Sequence, residues 1–297
     1  MQILSTDPTT AVSLSGVSYS YGKNTVFYKK AVDNVSVSVK KSSITGIIGH
    51  TGSGKSTLVQ MICGLLKPDE GKITVLGEDI FSDKKTLRSI RFRVGLVFQY
   101  PEYQLFDETV AKDISFGPKN QGLDEAQIKE RVEEAAGFVR LEPELMDKSP
   151  FELSGGQKRR AAIAGVIAMR PEILILDEPA SGLDPIGRDT VFGGLLEYRE
   201  KTGATVIIVS HSMEDMARYT DDIIVMNDGK LAMSGDRSDI FARADELCRI
   251  GLDIPQVSAV MNDLRRMGYD LPDGVYTIDD AERAIAALLD ERRGRHA

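Results

Sequence analysis

The 297-residue chain contains no tryptophan and only two cysteines, Cys63 and Cys248. With no Cys-x-x-Cys spacing, a disulfide scaffold and a cysteine-based zinc site are both disfavoured, and a reducing compartment fits. No apolar stretch approaches the roughly 20 residues that carry a helix across a bilayer. Any membrane role is therefore expected to be peripheral. Residues 1–10 lack a basic segment followed by an apolar run, so no secretory signal is read there. Basic residues are in deficit, 37 against 45 acidic, for a formal net charge of −8. That balance argues against a broad basic face for nucleic acid or anionic lipid, and leaves room only for a local basic groove. Apolar residues, by contrast, make up 42%, enough for globular cores and too many for a disordered chain. At roughly 150 residues per domain, the length suggests about two domains.

Strand signals dominate the first part. Residues 12–21 alternate small or polar residues with Val, Leu and Tyr, and 32–39 end on Val35-Ser36-Val37-Ser38-Val39. The polar, basic stretch 22–30 between them is expected to be an exposed hairpin loop. Residues 44–49 predict a short apolar strand entering a Gly-rich turn, followed by a helix over 55–66. Further buried strands are expected at 94–98, 173–176, 206–209 and 223–226, each apolar at consecutive positions as in strands covered on both faces. The middle is more helical. Residues 124–139 open on Asp124 as N-cap with Gln127 three residues on, and place Ile128, Val132, Ala135 and Ala136 along one side. A second helix should run over 154–169. After Gly235, two or three short helical patterns broken at Pro255 and Pro272 lead to a basic tail at 292–295, read as a solvated, frayed end. The apolar faces there, with Val257, Val260, Met261 and Leu264, are too few for a large independent core and are expected to pack on a partner or on the domain that precedes them.

Three motifs carry chemistry. Gly49-His50-Thr51-Gly52-Ser53-Gly54-Lys55-Ser56-Thr57 fits the phosphate-loop pattern G-x-x-x-x-G-K-[ST], between an expected strand and an expected helix. Glycines let backbone amides ring an anion, and the helix start adds its positive end. Lys55 is expected on the β- and γ-phosphates and Ser56 on Mg²⁺, while His50 and Thr51 fill positions where backbone does the cradling. Ile173-Leu174-Ile175-Leu176-Asp177-Glu178 buries a strand and delivers two carboxylates at its end. Asp177 suits the sphere of a hard cation, and Glu178, one residue further, points differently and is expected to face a water attacking the γ-phosphate. Alone, this is only a buried strand with an acidic turn; paired with the Lys55 loop it becomes specific. Leu153-Ser154-Gly155-Gly156-Gln157 precedes a helix, with Ser154 placed as its cap and two glycines baring amides to an anion.

With these motifs in this order, the chain resembles the ATP-binding subunits of ABC transporters over residues 11–235. The resemblance implies an α/β fold: a P-loop NTPase core sheet, an N-terminal antiparallel β subdomain, an inserted helical subdomain at about 100–168, and a small helical region at 236–297 serving dimerisation. It implies ATP and Mg²⁺ as cofactors, bound by Gly49 to Thr57, with Ser154, Gly155, Gly156 and Gln157 meeting the ATP held by a second subunit in a head-to-tail dimer. Tyr21 sits where the family stacks an aromatic on adenine, although Tyr19 is the other candidate and core packing the rival role. Gln99 matches the residue sensing Mg²⁺ and γ-phosphate, and His211 the histidine against the γ-phosphate, although alone it reads as a structural strand-end histidine. Ser181-Gly182-Leu183-Asp184 matches the loop through which the subunits communicate. Catalysis is thus assigned to Glu178, His211 and Gln99, and metal binding to Ser56, Gln99 and Asp177.

A narrower similarity follows from Tyr100-Pro101-Glu102-Tyr103-Gln104-Leu105-Phe106 and from the run Gly251-Leu252-Asp253-Ile254-Pro255 onward. These resemble energy-coupling factor transporter ATPases of the second type, which power uptake of vitamins or transition-metal ions. The implied partners are a related but different ATPase chain, a transmembrane coupling subunit and a substrate-binding membrane subunit, on the cytoplasmic side of the cell membrane, with no nucleic acid. Tyr100, Tyr103, Leu105 and Phe106 are expected to form a groove for a coupling helix, with packing as their bland alternative. Arg237 departs from the proline many relatives carry there and should affect only a turn. The alternative is the ATPase of a conventional binding-protein-dependent importer. DNA-repair or chromosome ABC proteins would bring long coiled coils or zinc cysteines, and ribosome-binding factors two ATPase halves; the chain has neither.

Overall fold

The structure is a computed structural model describing residues 8–295, with the side chains of 291–295 left out. Residues 1–7, where most of the signal reading falls, lie outside it, as do His296 and Ala297. β1 (Thr10–Tyr21) and β2 (Lys29–Lys40) are long enough to pair antiparallel along their length, with Leu14 opposite Val37 and Tyr21 opposite Lys29. Their alternation buries Val12, Leu14, Val17, Val32, Val35 and Val39. The second sheet opens with β3 (Ile44–Ile48), all buried, which runs through the glycine loop into α1 (Lys55–Ile62). β4 (Glu70–Val75) and the two-residue β5 (Glu78–Asp79) complete the first sheet in the order β2-β1-β4-β5. Neither was expected, because β4 buries only Ile73 and Val75. α2 (Lys84–Arg93), capped by the Asp83 carboxylate, leads into β6 (Val94–Val97).

Between β6 and the next core strand lies a helical layer of α3 (Val110–Asn120), α4 (Glu125–Phe138) and α5 (Gly155–Ile167). At α4 the expected capping box forms: Gln127 N donates to Asp124 at 2.9 Å, and Asp124 N donates to the Gln127 side chain at 3.1 Å. The chain returns through β7 (Ile173–Asp177), α6 (Pro185–Thr202), β8 (Thr205–Val209), α7 (Met213–Tyr219), β9 (Asp222–Asn227) and β10 (Lys230–Asp236). The core sheet has the order β10-β9-β3-β8-β7-β6, parallel except for β10. Successive side chains leave a strand on opposite faces. Leu174 and Leu176 therefore join the cluster under the helical layer, and Ile173 and Ile175 the cluster against α1 and the first sheet. That double burial explains the uninterrupted apolar runs.

The remainder forms α8 (Arg237–Ala242), α9 (Ala244–Arg249), α10 (Gln256–Arg266) and α11 (Ile278–Arg295). Ile240, Phe241, Leu247 and Leu252 belong to the main core. Val257, Met261 and Leu264, expected to pack on a partner or on the preceding domain, pack with Leu271, Val275 and the Ala281, Ala284, Ile285 and Leu288 stripe of α11. The reason is α11 itself, whose i, i+3, i+4 spacing supplies the opposing face; its backbone also continues through the segment expected to fray. Val260 stays exposed. Arg237 opens α8, and its guanidinium donates to the Ala217 carbonyl at 2.7 Å, tying that turn to the end of α7.

Candidate active site

The loop after β3 is shaped by close approach. Gly49 and Gly54 sit at φ +152° and +101°, where a Cβ would meet the Met226 carbonyl oxygen at 2.3 Å and the Ala31 carbonyl oxygen at 2.4 Å. Glycine alone fits such positions. The Lys55 side chain folds back under the loop and donates to Gly49 O at 2.6 Å and His50 O at 3.0 Å. Burial holds its pKa below the ordinary lysine value, against the pull of Glu178 and Asp177. A buried ammonium already placed at a helix start is a prepared phosphate site. The His50 ring turns away to the end of β9, with Nε2 2.9 Å from Asn227 Oδ1, and Thr51 is exposed. Ser53 is buried, and its Oγ has no hydrogen-bond partner among the described residues.

Tyr21 reaches this loop: its hydroxyl lies 3.2 Å from Thr57 Oγ1, and it borders a cavity of about 170 Å³ with Lys29, Gly52, Gly54 and Lys55. Tyr19 stacks edge-on against it, ring centroids 4.9 Å apart, and packs on the N-terminal core. Of the two tyrosines, Tyr21 is thus the one at the cavity and Tyr19 the one in the packing.

The carboxylates converge from β7. Ser56 Oγ donates to Asp177 Oδ2 at 3.0 Å, joining helix α1 to the strand end. Glu178 adopts φ +52°, rare for a residue with a side chain. Its N–H is held by the Val209 carbonyl at 2.9 Å. This turn sends the Glu178 side chain toward the residues just after β8, where Oε1 lies 3.5 Å from His211 Nε2 and Oε2 3.5 Å from Ser210 Oγ. Burial first, and then the Asp177 charge, push the Glu178 carboxyl up to about 7, with Lys55 opposing. Burial also raises Asp177, countered by Ser56 and Lys55, and lowers His211, with Lys55 adding to the depression. A carboxylate titrating near neutrality is suited to accept a proton.

Gln99 is exposed on the bend after β6, and no hydrogen bond joins its side chain to Lys55, Asp177 or Glu178. Ser154 caps α5 in a capping box of its own: Gln157 N donates to Ser154 Oγ at 3.4 Å and Ser154 N donates to Gln157 Oε1 at 2.9 Å. Among the described residues, no hydrogen bond or ion pair joins Ser154, Gly155, Gly156 or Gln157 to the Lys55 loop. The chain thus brings together Tyr21, Lys55, Ser56, Thr57, Asp177, Glu178 and His211, and leaves Gln99 and the glycine signature outside that set.

Sequence reasoning missed Arg159 and Glu102. Arg159 lies in the run Lys158-Arg159-Arg160 inside the helix expected over 154–169, and its side chain is only 3% exposed. It holds both Glu102 oxygens at 3.1 Å and donates to the Ser181 carbonyl. One planar guanidinium thereby links α5, the segment after Gln99 and the loop after Glu178. Beyond Gln99, Tyr103 and Phe106 are exposed; Leu105 and Phe106 line a groove of about 420 Å³ between α3 and α5, whereas Tyr100 and Tyr103 are not part of its lining, and Phe106 meets Phe116 edge-on at 5.2 Å. Leu105 packs against the main core.

The ABC transporter family profile matches residues 32–181, and an AAA domain profile matches 147–216. The energy-coupling factor transporter ATP-binding protein EcfA2 of Caldanaerobacter subterraneus subsp. tengcongensis is 51% identical over 94% of this chain and 97% of its own. The protein of the same name from Clostridium tetani is 46% identical over 95% and 98%. Among solved structures, cbiO1 from Clostridium perfringens, part of the ABC transporter complex cbiONQ, superimposes with a TM-score of 0.73 at 35% identity, covering 86% of this chain and 99% of that one. The ATP-binding cassette MJ0796, in a dimeric post-hydrolysis state with ADP and Pi, gives 0.69 at 29% identity over 76% and 98%. The ABC ATPase fold, the ordered nucleotide motifs and this near-full-length likeness agree: the chain belongs to the ABC transporter family, among the ATP-hydrolysing subunits of energy-coupling factor transporters.

Proposed function

We propose that this chain binds and hydrolyses ATP in a site completed by a second ABC ATPase subunit, and so drives uptake of a vitamin or transition-metal ion through membrane partners. The observation that carries this reading is the separation of the glycine signature from the Lys55 loop, which leaves one chain with an incomplete enclosure for the nucleotide. In the proposed roles, Tyr21 stacks on adenine, Gly49 to Thr57 wrap the phosphates, and Lys55 contacts the β- and γ-phosphates. Ser154, Gly155, Gly156 and Gln157 cover the nucleotide of the partner. Ser56 and Asp177 are oxygen donors already paired at 3.0 Å, a set that fits Mg²⁺, with Gln99 as a third contact. Mg²⁺ would neutralise phosphate charge. The Glu178 carboxylate takes the proton of the attacking water, and His211 steadies the γ-phosphate end.

A dimerisation role for residues 236–297, beyond the cassette read over 1–235, is part of the same proposal, although Ile240, Phe241, Leu247 and Leu252 at its start are packed into the cassette's own core. So is a position at the cytoplasmic face of the membrane, in a complex with a transmembrane coupling subunit and a substrate-binding subunit. No helix among the described residues is long and apolar enough to cross a membrane. The groove lined by Leu105 and Phe106 is where a coupling helix would seat. Purification of the tagged full chain in mild detergent, followed by mass spectrometry, tests this. The reading expects a second, related ATPase and two membrane subunits; recovery with a periplasmic binding protein and its permease would place the chain in a conventional importer instead.

A further inference from the structure

The hairpin β1–β2 carries three lysines near its tip, and two of them are neutralised. Lys23 pairs with Asp69 at 2.6 Å, and Lys30 with Asp33, which also takes Lys230 at 3.5 Å. Lys29 has no carboxylate within ion-pairing distance among the described residues. Strand alternation separates the neighbours: Lys29 and Ala31 line the cavity at the phosphate loop, whereas Lys30 leaves on the other face. Register adds to this, because Lys29 stands directly opposite Tyr21, whose hydroxyl touches Thr57. The Lys29 ammonium lies 3.6 Å from the point a Cβ on Gly52 would occupy, and Gly52 (φ +82°) is an exposed turn of the loop. Two residues on, the Ala31 carbonyl oxygen lies 2.4 Å from where a Cβ on Gly54 would sit, so β2 passes close against the loop beside Lys29.

An unpaired ammonium held over a phosphate-binding turn has one natural class of ligand, a phosphate oxygen. We propose that Lys29 is a second cationic contact to the phosphate chain of the nucleotide, reaching it from the hairpin side over Gly52 while Lys55 reaches it from the helix side. The inference rests on the nucleotide reading above and extends it by one binding residue. Lys29 is exposed and Lys55 buried, so the two contribute differently. The Lys29 contact is salt-sensitive and moderate, whereas that of Lys55 is shielded.

The test is displacement of a fluorescent ADP analogue by ATP and by ADP from the full chain, at low and high salt, with Lys29→Ala, Lys29→Arg and Lys30→Ala. Lys29→Ala should weaken both nucleotides by about threefold to tenfold at low salt, the effect of losing one exposed charge contact. The loss should shrink at high salt, and Lys29→Arg should restore most of it. Lys30→Ala should bind as wild type, and the melting temperatures without nucleotide should coincide. Equal affinity of wild type and Lys29→Ala overturns this inference alone, as does a loss that salt leaves unchanged. Failure of the wild-type chain to bind ATP would overturn the nucleotide reading and this inference with it.

Discussion

Glu178→Gln separates the charge of the proposed proton acceptor from its shape. Burial beside Asp177 moves this carboxyl from an ordinary 4.5 to about 7, which corresponds to on the order of 3 kcal/mol of preference for the neutral form. Its side chain is 13% exposed, so solvent screening removes little of that. The folded value lies above the unfolded one. Stability from the protonated group is therefore fully present below 4.5 and is lost as pH rises through about 7. Glutamine, which never ionises, avoids the loss. The variant should match wild type at pH about 4 and be more stable by about 1–3 kcal/mol at pH about 8, a melting rise of a few degrees. In the assembled complex, turnover should fall by about 10²–10⁴-fold while ATP binding persists, because Lys55 and its loop are untouched. Wild-type turnover should rise with pH as Glu178 ionises through about 7. Denaturant unfolding across the pH series and ATP hydrolysis by the complex are the two measurements. A stability gain that is the same at both pH values, or near-normal turnover, would refute the reasoning.

Lys55→Ala removes a charge-assisted phosphate contact and should weaken ATP binding by about tenfold or more, read by titration calorimetry on a chain whose circular dichroism is unchanged. Gly54→Ala places a Cβ 2.4 Å from the Ala31 carbonyl at a left-handed φ, and should cost about 1–3 kcal/mol in urea unfolding; an unchanged midpoint would remove the close-approach argument. Arg159→Gln strands the Glu102 carboxylate and should cost about 3 kcal/mol. Adding Glu102→Gln should recover part of that in a double-mutant cycle, and strict additivity would deny the clamp. A chain ended at residue 253 keeps Ile240, Phe241, Leu247 and Leu252 in the main core but loses Ile254 and Tyr276, which pack against it, so it should still fold cooperatively with a loss of about 1–3 kcal/mol. A chain ended at 235 loses about 1.5–3 kcal/mol for each of those side chains and should fail to fold cooperatively.

What was legible in the sequence is what short-range chemistry specifies. The glycines of 49–54 demand backbone that no other residue accepts, and the alternation of β1 and the apolar run of β7 declare how many faces each strand buries. The Asp124 and Ser154 caps complete themselves within four residues. For that reason the nucleotide motifs, the fold class and most core strands could be read before any coordinates.

The rest depends on groups that meet only after the chain has closed. Lys158, Arg159 and Arg160 are alike as text, but α5 buries Arg159 between Glu102 and Ser181, residues contributed by two other segments. Lys29 and Lys30 differ only in which face of β2 they leave by, and the register with Tyr21 decides that. The backbone turn that sends Glu178 toward His211 is held by a carbonyl from β8, and the burial that raises its pKa comes from the whole site. Local patterns specify elements because their energetics reach only a few residues. Desolvation, ion pairing and close approach are sums over neighbours far apart in sequence, and only the tertiary structure names those neighbours.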